Sequence, residues 1–191
     1  MFRLSHRLLG VVAAFALAAP AASARAQYAP DRATAVEVRK EFLTNLDSLQ
    51  SKFLSLAEAI PADKYSWRPA PGVRSVGEVF MHVASEYYFW TPAIFGIKPS
   101  PVVGPAEASF DKFEKMSSKP EVLKHLKEGF AFGRGAISGM EDGQITGLHK
   151  SFGRDQQVIQ MSIGMIDDLH EHLGQLIAYA RMNGVKPPWS K

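Results

Sequence analysis

The chain has 191 residues, 46% of them hydrophobic and 21% charged, and it contains no Cys. That length suits one ordinary domain, and that balance supports a buried core rather than disorder. The missing Cys excludes disulfides, thiolate metal sites and a Cys nucleophile. A formal charge of +3 would suit an acidic partner, but the excess resides in the first residues.

Residues 1–26 read as a secretory signal peptide. Arg3, His6 and Arg7 give a basic start, Leu8 to Ala19 is apolar, and Ala24-Arg25-Ala26 forms a cleavage site before Gln27. The apolar run is too short and interrupted to be a good membrane span. Cleavage would remove Arg3, Arg7 and Arg25 and no acidic residue, leaving 19 residues of each sign in 27–191. A nucleic-acid surface needs clustered positive charge, and none stands out, so nucleic acid is not an expected partner. The expected location is periplasmic or secreted, with no membrane span after cleavage. Residues 27–191 then form the domain.

Four helices are expected in that domain. The first runs from about Ala33 to Ile60, with Phe42, Leu46, Leu49, Phe53 and Leu56 on one face. The stretch Tyr65–Arg74 carries Pro69, Pro71 and Gly72 and cannot be regular helix. Ser75 and Glu78 make a capping box for a second helix reaching about Phe89 or a little beyond. Residues 96–106 form a loop. Ser118 and Glu121 make a second capping box, for a helix to about Met140 with Val122, Leu126 and Phe130 on one face. Residues 141–155 are Gly-rich and polar, and read as a connector.

The last helix spans about Gln157 to Asn183. Ile159, Ile166, Leu169, Leu173, Leu176 and Ala180 share a face, and Gly184 with Pro187-Pro188 ends it. With four amphipathic helices and no strand-like alternation, the expected fold is all-α, a four-helix bundle with a long loop between its second and third helices.

Five His follow residue 26: His82, His125, His149, His170 and His172. A lone helical His is usually a surface or satisfied core residue. Spacing singles out two pairs. Asp168 and His172 are four apart on the last helix, and so are His82 and Glu86 on the second. Such pairs project from one helical face, and bundle metal sites are built from facing helices in this way. The same spacing also describes a simple carboxylate–imidazole pair. His170 points elsewhere, and His170-Glu-His172 has the wrong spacing for a zincin. Gln175 could orient a ligand or water, or form an interhelical hydrogen bond. The run Tyr87, Tyr88, Phe89 and Trp90 suits core packing or a pocket wall. Trp67 is expected to pack the first interhelical loop, and Arg68 to form a surface salt bridge.

Three segments carry a family resemblance. They are Trp67-Arg68-Pro69 with the residues before it, the helix start Ser75-Val-Gly-Glu-Val-Phe-Met-His82, and the ending His172-Leu-Gly-Gln-Leu-Ile-Ala-Tyr-Ala-Arg181. The chain resembles the DinB/YfiT-like superfamily of four-helix bundles over nearly all of residues 27–191. The resemblance implies a divalent metal held by three His, one on the second helix and two in an H-x-x-x-H on the last. His82 and His172 match the outer two positions, and Asp168 stands where the middle His is expected. Two His and one Asp can still hold Zn, Ni, Mn or Fe, with positions open to water or substrate, and Glu86, one turn beyond His82, is expected as an outer carboxylate behind them. Alternatively, the Asp marks a lost site.

The resemblance further implies a metal-dependent transferase using small thiols, or a hydrolase, acting on a small-molecule substrate. An exported chain meets few reducing thiols, which counts against thiol transfer. Two other readings stand beside it. One is a non-catalytic bundle that binds a small ligand or partner protein. The other is a homodimer that completes its core across subunits.

Overall fold

The computed structural model describes residues 31–103, 110–151 and 153–190. The expected signal peptide, residues 1–26, lies outside them. Helix α1 spans Arg32–Ala59, and the Asp31 side chain caps it by accepting from the Thr34 N–H at 2.8 Å. Its five expected apolar residues are all buried. After Pro61 a 3-10 turn, Ala62–Lys64, leads to Tyr65, whose hydroxyl donates to the Ala57 carbonyl at 2.6 Å. That bond ties the loop back to the end of α1. Trp67 packs edge-on against Tyr179, with ring centroids 5.4 Å apart, and Arg68 pairs with Glu78 at 3.0 Å.

Helix α2 spans Val76–Phe95, and its Ser75/Glu78 capping box is present in both directions. It runs past Phe89 and through Pro92, which sits in its final turn. Gly96, at φ 64°, ends it in the left-handed conformation. Nor does α2 carry a narrow apolar stripe. It is buried on most sides because α3 (Phe110–Glu114), α4 (Lys119–Ser138) and α6 (Val158–Met182) all pack on it.

Helix α4 buries Val122, Leu126 and Phe130 as the spacing predicts. The reciprocal box expected at Ser118 does not form. The Ser118 hydroxyl instead donates to the Glu121 carboxylate at 2.7 Å, and no backbone N–H bonds to it. Gly133 permits close packing, since a Cβ there would stand 2.3 Å from a Tyr87 ring carbon.

The expected connector is more ordered than its composition suggests. Helix α5 (Asp142–Thr146) precedes an antiparallel hairpin, β1 (Leu148–Ser151) and β2 (Arg154–Gln157), with Leu148 opposite Gln157. Its strands are mostly polar, with Ser151 alone fully buried, so no apolar alternation marks them. In α6 the core face carries Leu169, Leu173, Leu176 and Ala180, as expected. At its start, Val158, Met161 and Met165 are buried, and Ile159 is only half-buried.

The four long helices form a bundle in which α1 and α2 each pack against α4 and α6. Phe53, Tyr87 and Phe130 meet at its centre, with the Tyr87 and Phe130 rings 4.6 Å apart. No helix among the described residues is long and apolar enough to cross a membrane.

Candidate metal centre

Two facing helices build the site. On α2, His82, Glu86, Trp90 and Ile94 recur every four residues. On α6, Met161, Met165, Asp168 and His172 recur at three and four. The helices pack together, so the two stripes face each other. The His82 and His172 rings meet edge-on, 4.8 Å apart.

Glu86 lies between them. Its Oε1 is 3.1 Å from His82 Nε2 and 3.7 Å from His172 Nε2. One ligand atom from each of His82, Glu86 and His172 falls within 4.8 Å of the others. Asp168 Oδ2 stands 3.7 Å from His172 Nε2, on a side chain about half exposed. Thus His82 and His172 come together, with Asp168 beside His172, while the three-residue cluster takes its carboxylate from Glu86. Glu86, expected only as an outer residue, is closer to both imidazoles than spacing alone suggested.

Each imidazole turns its other nitrogen toward an acceptor. His82 Nδ1 is 2.7 Å from Glu114 Oε1, and Arg74 holds that carboxylate through two bonds of 2.8 and 3.1 Å. His172 Nδ1 is 3.3 Å from Gln175 Oε1, and the Gln175 amide donates to the Tyr179 hydroxyl at 3.0 Å. Gln175 therefore orients His172, one of the two roles open to it. Glu114 and Arg74 had no sequence signal, because Glu114 sits on a five-residue helix 32 positions beyond His82.

These residues suit a divalent cation. Metal–ligand bonds of ~2.0–2.1 Å in a tetrahedral site place neighbouring ligand atoms ~3.3 Å apart. The separations of 3.1 and 3.7 Å lie on either side of that value. Two imidazole nitrogens with carboxylates are a donor set for Zn, Fe, Ni or Mn, and outer acceptors on Nδ1 fix the tautomer that presents Nε2.

The electrostatics agree. Burial pushes the Glu86 carboxyl up, His82 opposes this, and nearby Asp168 adds to it, leaving Glu86 at about 7. Burial by itself lowers the His82 imidazole. The Glu86 hydrogen bond and charge, helped by Glu114, outweigh that and leave it raised. A cation bound beside the buried Glu86 and the half-exposed Asp168 would offset their negative charge.

The other His take the structural reading. His125 is buried against Phe113 and near the Tyr88 hydroxyl. His170 is exposed, with Nδ1 2.9 Å from the Ile166 carbonyl.

A solved DinB-like protein from Bacillus cereus ATCC 10987 is similar to the chain, with a TM-score of 0.65 and 17% identity. The match covers 80% of this chain and 97% of that one, a likeness of fold. No curated protein matches. The model of the DinB superfamily matches residues 45–180, from the middle of α1 to near the end of α6, and the chain belongs to that superfamily.

Proposed function

We propose that the chain is an exported metal-dependent hydrolase, with its divalent ion held by His82, Glu86 and His172 and with Asp168 beside it. The observation that carries this reading is the convergence of two Nε2 atoms on one buried carboxylate, each imidazole having an acceptor at Nδ1. A bound ion of this kind supplies Lewis acidity and lowers the pKa of water toward neutrality.

The chain's own groups have separate tasks. Glu114 and Gln175 fix the orientation of His82 and His172. Asp168 is half exposed, and its Oδ2 lies 3.7 Å from His172 Nε2, where it can join the ion as a further carboxylate ligand. The signal-like residues 1–26 support a periplasmic or secreted location and favour water over a reducing thiol as the nucleophile. Thiol transfer is the alternative chemistry at the same centre.

The test is elemental analysis of protein purified without chelator and without a His tag. About one divalent ion per chain is expected, lost in His82→Ala and in His172→Ala. Retained metal would justify assays of small-molecule ester and amide hydrolysis. A chain that arrives metal-free and takes up none of Zn, Ni, Mn or Fe would overturn the reading. It would leave a ligand-binding bundle in which His82 and Glu86 are a structural pair.

A further inference from the structure

A cavity of about 320 Å³ lies between α2, α6 and the hairpin, bordered by Glu86, Trp90, Ile94, Gln156, Met161, Gly164, Met165 and Asp168. Its walls follow from the two helical stripes. Toward the His end they present Glu86 and Asp168. Toward the other end they present Trp90, Ile94, Met161 and Met165. The cavity is thus acidic where it meets the metal centre and mostly apolar beyond, with Gln156 of β2 also at its edge. Its volume is about twice the ~150 Å³ that accommodates benzene in an apolar cavity.

Gly164 is informative. It sits in the interior of α6, where Gly is a poor helix former. Neither a positive φ nor close packing requires it, since a Cβ at this position would meet no heavy atom within 4 Å. Gly164 is exposed and lines the cavity, so a side chain added there has room to narrow it. Among the described residues the lining holds no cationic side chain, and two carboxylates stand at its polar end, so it disfavours an anionic group.

We propose that this cavity receives an uncharged, ring-sized apolar part of the substrate, while the substrate's metal-directed polar group meets the His82–Glu86–His172 centre. The inference rests on the metal reading above and adds the substrate class to it. The site would select small molecules that join an aromatic or branched hydrocarbon group to the reacting bond. It would discriminate against equally reactive molecules that lack one.

The experiment compares benzohydroxamate with acetohydroxamate by calorimetry on zinc-loaded protein. Both have the same metal-binding head, and they differ by a ring. Burying a ring of this size corresponds to roughly a ten- to hundredfold gain in affinity, which is the expected preference for benzohydroxamate. Gly164→Leu should abolish the preference and leave zinc content and acetohydroxamate affinity unchanged. Gly164→Ala, which adds one methyl, should reduce the preference in the same direction and keeps the test readable if the leucine variant folds poorly. Gly174→Leu, on the same helix and also open, should change nothing.

Equal affinity for the two probes, or a preference that survives both Gly164 variants, would overturn the proposal and leave the metal centre standing. Failure to load zinc would overturn both. Zinc content is measured first, so the two failures are distinct.

Discussion

His82 Nδ1 lies 2.7 Å from Glu114 Oε1, and this contact leaves Nε2 pointing at Glu86. Glu114 comes from a short helix that joins neither stripe of the site. It is in turn held by Nε and Nη2 of Arg74. Carboxylate–imidazole pairs of this kind fix the ring and raise the basicity of the nitrogen facing the metal.

Glu114→Gln should therefore weaken zinc binding by roughly ten- to a hundredfold and leave the fold intact. Competition with a chromophoric chelator measures it, and far-UV circular dichroism checks the helices. Unchanged affinity would mean that Arg74 and Glu114 form a surface clamp with no role in the site.

Asp168 occupies the position where the superfamily resemblance implies a His. Its Oδ2 is 3.7 Å from His172 Nε2, close enough to share an ion with it. Asp168→His should tighten zinc binding by replacing a half-exposed carboxylate with a third imidazole. Asp168→Ala should weaken it. If the histidine variant binds zinc more weakly, Asp168 does not occupy the third ligand position, and Glu86 alone supplies the carboxylate.

Helix faces were legible in the sequence because burial repeats at helical spacing. Phe42, Leu46, Leu49, Phe53 and Leu56 are buried as the pattern required. The signals at Ser75 and Gly184 are local, and the ends of α2 and α6 fall near them. The site was half legible. His82 and Glu86, like Asp168 and His172, are pairs on single helices, so spacing exposed each pair. Spacing cannot say which way a stripe turns in the bundle, so it gave Glu86 no greater weight than an outer residue. Glu114 and Arg74 were illegible because their contacts span loops. The hairpin escaped because mostly polar strands carry no apolar alternation.

Stability of the metal-free protein should depend on pH through Glu86 and His82. The groups facing them are His172, Asp168, Glu114 and Arg74. Burial raises the Glu86 carboxyl from 4.5 to about 7, so its contribution is complete below 4.5 and is lost as pH climbs through 7. His82 is raised above 6.5, chiefly because Glu86 outweighs burial, so its contribution is lost as pH rises through that higher value. Both push the same way, and stability falls as pH rises. His125, lowered by burial and by Lys124, acts in the opposite sense below 6.5. A difference between wild type and Glu86→Gln cancels it. The stability of wild type relative to the variant should fall by on the order of 1–3 kcal/mol between pH 5 and 8, as read from urea unfolding with chelator present. A flat difference would mean that Glu86 is ionised throughout, with its charge already compensated.

Gly77, in the first turn of α2, packs closely against Ser117, three residues after Glu114. A Cβ there would stand 2.2 Å from the Ser117 carbonyl oxygen, a backbone atom that cannot swing aside. Gly77→Ala must push residues 110–118 outward, taking Glu114 away from His82. The expected cost is ~1–3 kcal/mol of stability, as for other overpacked contacts. Zinc affinity should fall with it, in the direction of Glu114→Gln. Gly174→Ala is the control. Its Cβ meets nothing within 4 Å, so the better helix former should leave zinc affinity unchanged and stability equal or slightly higher. Thermal melts and zinc titrations of the two alanine variants separate backbone crowding from a general effect of losing glycine. If Gly77→Ala lowers stability and zinc affinity stays at the wild-type level, the Glu114–His82 contact is held by Arg74 and not by the seating of the loop on α2.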